Sequence, residues 1–131
     1  MSDFSVKIQG LPQLVSFFEN VAGAALNETI DKALDQSGLE TLTVLKGNTP
    51  IDTGNLRDSE FIEKEGTTVF VGPDLGKAHY APYVEYGFHH YISGKFIPGQ
   101  HYVELTALAM QPRIVQIFKS HINQLFKSYG S

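Results

Sequence analysis

The stretch 49–59, TPIDTGNLRDS, holds the densest group of helix-stopping and helix-starting residues in the chain. Pro50 disfavours the α region for Thr49, so a helix arriving from the N-terminal side should end just before it. Asp52 or Thr53 offers a side-chain oxygen to cap a new short helical turn, and Gly54 and Asn55 tolerate its tight geometry. Leu56 and Arg57 follow, and a strand-like run begins beyond them. A helix gives way to a sheet here. Pro50, Asp52, Thr53, Gly54, Leu56 and Arg57 therefore form a candidate structural corner around which the other elements can be placed.

Upstream, Phe4, Val6 and Ile8 alternate with Ser5, Lys7 and Gln9, the period of a half-buried strand. Gly10 closes that strand, and Pro12 suits the first turn of a helix, where its missing N–H is not needed. Leu11, Val15, Phe18, Ala22, Ala25, Thr29, Ala33 and Leu34 then recur three or four apart, and the pattern extends through Leu42 and Leu45 to Lys46. Gly23 and Gly38 each weaken this long helix by roughly 1 kcal/mol relative to Ala. The QSG triplet at Gly38 is the expected kink, and Gly47 and Asn48 are suitable terminators.

Downstream, residues 60–65 and 67–72 flank Gly66, predicting a β-hairpin with Thr67, Val69 and Val71 on one face and Phe70 on the other. Residues 73–78 turn the chain. The segment 80–96, YAPYVEYGFHHYISGKF, is rich in aromatic residues. It predicts a short helical turn or strand at 83–86, then a loop or second hairpin across 88–96 with a mobile middle. Helical spacing returns over 102–127 at Leu105, Leu108, Ala109, Val115, Phe118, Ile122 and Leu125, ahead of a tail at 129–131. Pro112 is expected to bend or divide that helix near Met110. The fold class is α+β: a small, mostly antiparallel β-sheet packed against a long N-terminal helix and a C-terminal helix, in one domain over 1–131.

Composition removes several function classes. Ten Lys and Arg residues scattered over a chain of formal net charge −4 do not make a surface that grips phosphates. The absence of cysteine excludes disulfides, thiolate nucleophiles and Cys-based zinc sites. No apolar run is long enough to span a bilayer, and MSDFSVKIQG lacks the charged start and apolar centre of a signal peptide, so synthesis in the cytosol is expected.

The chemistry-bearing residues form no familiar constellation. His89 and His90 are adjacent, so in a strand they point to opposite faces and cannot easily share one ion. His79 and His101 fall in separate expected loops, with no carboxylate at a recognised ligand spacing. Asp52 is better explained as a cap, and Asp58 and Glu60 as solvated residues at the start of a strand, than as a catalytic group. Ser59 has no adjacent base, and neither a GxSxG elbow nor a phosphate-binding glycine loop occurs. No catalytic, cofactor-binding or metal-binding residue is assigned. A metal-dependent hydrolase or nuclease built from Asp52, Asp58, Glu60 or the histidines is the enzyme alternative. Arg57 stands near Glu60, Glu63 and Glu85, for an internal ion pair or a contact between subunits. Tyr80, Tyr83, Glu85, Tyr86, Phe88, His89, His90, Tyr91 and Phe96 form a candidate interaction segment, because aromatics at this density occur both in cores and where proteins meet partners.

Taken in order, TPIDTGNLRDS, a hairpin ending in VFVGP, YAPYVEYG, and KFIP ahead of a C-terminal helix resemble the minor tail or tail-completion proteins of long-tailed bacteriophages and prophages. The resemblance covers residues 45–104 by motif and the two helices by position. The chain departs from the family's pattern at Phe88, where a Thr is usual, and at Gly99 and Gln100, where an Ala commonly leads into the helix. The resemblance implies a virion structural protein of the neck region, without catalysis or cofactor, assembling as a ring, often hexameric, and monomeric when isolated. Its implied partners are copies of itself, the head-closure or connector proteins, and tail-terminator or tail-tube proteins. A head-closure or tail-terminator role is the nearest alternative. DNA would pass through such a ring without sequence-specific binding, and no membrane is implied.

Overall fold

The computed structural model describes residues 5–8, 11–50, 54–90 and 92–130; the side chains of 11–22, 129 and 130 lie outside that description. The elements in chain order are β1 (Val6–Ile8), α1 (Leu11–Asn48), α2 (Gly54–Asp58), β2 (Glu60–Glu65), β3 (Thr68–Pro73), α3 (Ala81–Tyr86), β4 (Gly87–His89), β5 (Phe96–Pro98) and α4 (Tyr102–Gly130). The architecture is the α+β arrangement expected from the residue pattern. Phe4, Gln9, Gly10, Asp52, Thr53 and Tyr91 lie outside the described residues, and with them the ends of the first strand and the proposed cap of α2.

Three antiparallel strands form the main sheet in the order β1–β3–β2, and β4 pairs with β5 in a separate two-stranded sheet. The β2–β3 hairpin turns at Gly66, whose φ of 59° suits the left-handed geometry of a two-residue turn. Alternation sends Val69 and Val71 into the core, while Phe70 faces the other way beneath the Lys7 ammonium, 5.4 Å from its ring centre. Helix α1 covers the core side of β2 and β3, and α4 lies along α1 and β1. Contacts Gln36–His121, Glu40–Arg113 and Asn48–Thr106 run in opposite chain directions, so the two helices are antiparallel.

Both long helices depart from the sequence expectation in an instructive way. The break in α1 is at Gly23 (φ 57°, ψ −133°), not at Gly38. Gly38 stays helical, and its bare Cα lets the sheet come close: a Cβ there would lie 3.2 Å from Val69 Cγ1 and 3.4 Å from Ile62 Cγ2. Beyond the break the buried stripe is Leu26, Ile30, Ala33, Leu34, Ser37, Thr41 and Leu45. Ala25 and Thr29, expected inward, are half-buried at the margin of this stripe, while Ala33, Leu34 and Leu45 are buried as expected.

Helix α4 is undivided across Pro112 and extends through the expected tail to Gly130. Pro112 and Leu108 both face solvent, where water can satisfy the Leu108 carbonyl that loses its amide partner. Its buried face is Tyr102, Val103, Thr106, Met110, Ile117 and Phe118. Leu105, Leu108, Ala109 and Val115, expected to face inward, are exposed. The fully buried Tyr102 sets the helical phase, and the residues one and two turns on follow it.

Candidate functional site

The corner is organised around a buried carboxylate. Thr49 follows the end of α1, its N–H still donating to the Leu45 carbonyl at 2.9 Å, and Leu56 of α2 is fully buried. Lys46 Nζ donates to the Arg57 carbonyl oxygen at 2.8 Å, satisfying the C-terminal end of the short α2. Glu60 is buried rather than solvated, which corrects the sequence expectation. Burial pushes its carboxyl up to about 7, against the opposing pull of the Thr49 hydroxyl and of the Lys46 and Arg57 charges.

The Thr49 hydroxyl lies 2.6 Å from both the Leu45 carbonyl oxygen and Glu60 Oε2. A hydroxyl carries one proton, so both contacts are hydrogen bonds only when the Glu60 carboxyl itself donates to Thr49 Oγ. Arg57 makes no ion pair among the described residues; its Nη2 reaches the Thr49 carbonyl at 3.5 Å, and its charge acts on Glu60 without contact. Neither Glu63 nor Glu85 pairs with it, because Glu63 faces the outer side of the sheet and Glu85 is engaged elsewhere. Asp58 is exposed, and the Ser59 hydroxyl donates to the Leu56 carbonyl at 2.7 Å, so neither joins Glu60 in a shared cluster.

Glu85 belongs to a second, tighter arrangement. Its two carboxylate oxygens accept the backbone N–H groups of Val103 (2.9 Å) and Glu104 (3.1 Å), capping the N-terminus of α4 from a residue in α3. Gln100 N–H donates to the Val84 carbonyl at 2.7 Å, and His101 N–H to the Glu85 carbonyl at 3.1 Å. The backbone approach leaves no room for side chains. A Cβ on Gly99 would run into the Glu85 carbonyl, and one on Gly87 (φ 89°) would lie 2.5 Å from the Ile97 carbonyl oxygen. The departure of this chain at Gly99 thus has a steric reason. Sequence reasoning placed Glu85 in an interaction segment and missed the capping role. The available signal was the want of Ser, Thr, Asp or Asn at 100–101, which means the helix start must be capped from elsewhere.

Glu85, His101 and Glu104 each place a ligand atom within 4.8 Å of the others, a grouping that loop positions alone did not suggest. The arrangement is poorly suited to a cation. Both Glu85 oxygens already accept amide protons, and the positive end of the α4 dipole points at the same spot. His101 Nδ1 instead pairs with Glu104 Oε2 at 3.3 Å. His79 stacks edge-on against Tyr80, and His121 bonds Gln36.

The β4–β5 hairpin forms an arm between α3 and α4. Tyr83 meets Phe88 edge to face at 6.1 Å, and His89 lies over Phe96 at 5.2 Å. His90 Nδ1 accepts the N–H groups of Ile92 and Ser93, each at 3.3 Å, so this side chain shapes the tip of the arm. Tyr80, Tyr83, Val84, Phe88 and His89 line a shallow, almost wholly apolar groove of about 470 Å³ at its base. Tyr83, Tyr86, Phe88, Ile92, Phe96 and Ile97 are exposed, so the arm is chiefly surface rather than core. Ile92 and Ile97 were not singled out from sequence.

The family model described as "Bacteriophage HK97-gp10, putative tail-component" matches residues 13–87. The chain belongs to this family. The match runs from α1 through the corner and the hairpin to Gly87, so the HK97-gp10-like chain carries the Glu60 and Glu85 arrangements within it or anchored to it. Its arm and α4 follow the matched region. Comparison with curated proteins and with solved structures returned no match. As an HK97-gp10-like protein the chain is a phage tail component. No helix among its described residues is long and apolar enough to cross a membrane.

Proposed function

We propose that the protein is a non-enzymatic tail-completion protein. It forms a ring, hexameric in the virion, at the head-proximal end of the tail and joins the tail to the head connector. The observation that carries this reading is the arm: six large apolar side chains stand exposed on α3 and a hairpin that a monomer does not bury. Contiguous exposed apolar surface of this kind marks contact with other proteins. The buried carboxyl groups support the same reading, since Glu85 is consumed in capping and Glu60 in its contact with Thr49.

The partners on this reading are copies of the chain, the head-closure or connector proteins on one side, and tail-terminator or tail-tube proteins on the other. The acidic balance suits a ring through which DNA passes without being held. Imaging of particles from a deletion mutant tests the assignment. Filled heads separated from complete tails are expected, with joining restored by the protein supplied in trans; normal joined particles would overturn it.

A further inference from the structure

We propose that the β4–β5 arm of one copy docks on the outer face of β2 in a second copy, placing Lys95 against Glu63 and Glu65. The proposal rests on the ring reading and names its contact surfaces.

The arm is apolar and cationic. No acidic residue occurs between Glu85 and Glu104, and Lys95 lies in that interval beside the exposed Phe96. Phe88 and Ile97 are cross-strand partners and so share one side of the hairpin. Lys95 precedes β5, but its carbonyl accepts the His90 N–H at 2.8 Å, which continues the ladder by one pair and carries Lys95 to that side, and Tyr83 extends it through its contact with Phe88. A hairpin of two three-residue strands is marginal by itself in water and gains most from a surface that covers it.

The outer face of β2 has the complementary character. Ile62 and Lys64 point towards α1, where Lys64 bridges Asp31 and Asp35, so Phe61, Glu63 and Glu65 point away from it. Phe61 is 39% exposed and shares its face with Glu63 and Glu65, on a strand that is an edge of the sheet among the described residues. Glu28, Asp31, Asp35, Glu40 and Glu104 all have cationic or histidine partners; Glu63 and Glu65 have no ion pair among the described residues, and neither does Lys95. Charges on an edge strand repel most would-be pairing partners. A cationic hairpin is the partner they admit. The two patches occupy different parts of one chain, so the contact is able to propagate head to tail, the geometry that generates rings when the rotation closes.

The full-length protein carrying Ile92→p-benzoylphenylalanine, at the 74%-exposed tip of the arm, tests the contact when mixed with isotope-labelled protein and irradiated. Adducts are expected on the labelled tryptic peptide 58–64, with a yield that falls as salt rises. Lys95→Glu should cut the yield about tenfold, and adding Glu63→Lys and Glu65→Lys should restore it, read then on peptide 58–63 because trypsin cuts at the new lysine. Adducts confined to the probe's own chain or to the α4 face of Leu105 and Leu108, or none while amine cross-linking still captures oligomers, would overturn the arm contact and leave the ring reading standing. Failure of every cross-linker to capture oligomers would also overturn the arm contact, whereas the ring reading, which places assembly in the virion, is overturned by normal joined particles from the deletion mutant.

Discussion

Glu85 holds the Val103 amide at 2.9 Å across eighteen residues of sequence, and with the next amide in the same carboxylate it ties α3 to the start of α4. A local cap fixes only its own helix. This one fixes the direction of α4 relative to the arm, because every residue from Gly87 to His101 is suspended between the two ends of the contact. Glu85→Ala strands two buried or half-buried donors and should lower unfolding free energy by about 2–4 kcal/mol. Glu85→Gln keeps one acceptor and loses the charge, and should lose about 1–2 kcal/mol. Urea midpoints at unchanged slope check both values.

Stability should depend on pH through Glu60. Its folded-state value near 7 lies above the ordinary 4.5, so the folded protein binds this proton more tightly than the unfolded chain does. The resulting stabilisation is full below about pH 4.5 and is lost as pH rises through about 7, a fall of up to about 3 kcal/mol. Glu60→Gln should flatten this slope and be the more stable protein at pH 8. Parallel stability curves for the two proteins from pH 5 to 8 would contradict the assignment.

Crowding at the base of the arm gives a sharp contrast among glycines. Gly99→Ala and Gly87→Ala drive a methyl into backbone, and each should cost about 3 kcal/mol or prevent α4 from docking. Gly94 has φ 68° with open space around it, so Gly94→Ala should cost only about 1 kcal/mol. Thermal unfolding of the three variants orders them directly.

The glycines of α1 should separate by sign. Gly47 lies in the helix with nothing near an added Cβ, so Gly47→Ala should stabilise by about 0.5–1 kcal/mol. Gly23→Ala forces a side chain to φ 57° at the break and should destabilise by about 1 kcal/mol. Chemical denaturation distinguishes a break at Gly23 from an ordinary helical glycine, which would be stabilised like Gly47.

Much of the fold was legible because it is written in local periods. Alternation at Val69, Phe70 and Val71 gave the hairpin and its inward face, and Thr49–Pro50 gave the end of α1. On α1 Ala33, Leu34 and Leu45, and on α4 Phe118, are buried as expected, whereas Ala25, Thr29, Leu105, Leu108, Ala109 and Val115 are not. Which side of each helix is covered depends on the elements packed against it, the sheet and α4 for α1, and α1 and β1 for α4, and that packing leaves no periodic trace. The site residues divided in the same way. Aromatic density marked the segment around Tyr83 and Phe88, but nothing local distinguished a buried Glu60 from the exposed Asp58 two positions earlier.

The sequence by itself determined the two long helices, the first hairpin, the helix-to-sheet corner and the phage tail family, because propensity, turn chemistry and motif spacing act within a few residues. Only the tertiary structure decided which carboxylates are buried and what they hold. Glu60 meets Thr49, and Glu85 meets Val103, through the packing of α1 on the sheet and of α3 on α4. Burial and hydrogen-bond partnership are properties of neighbours in space, and those neighbours stand 11 and 18 residues away along the chain.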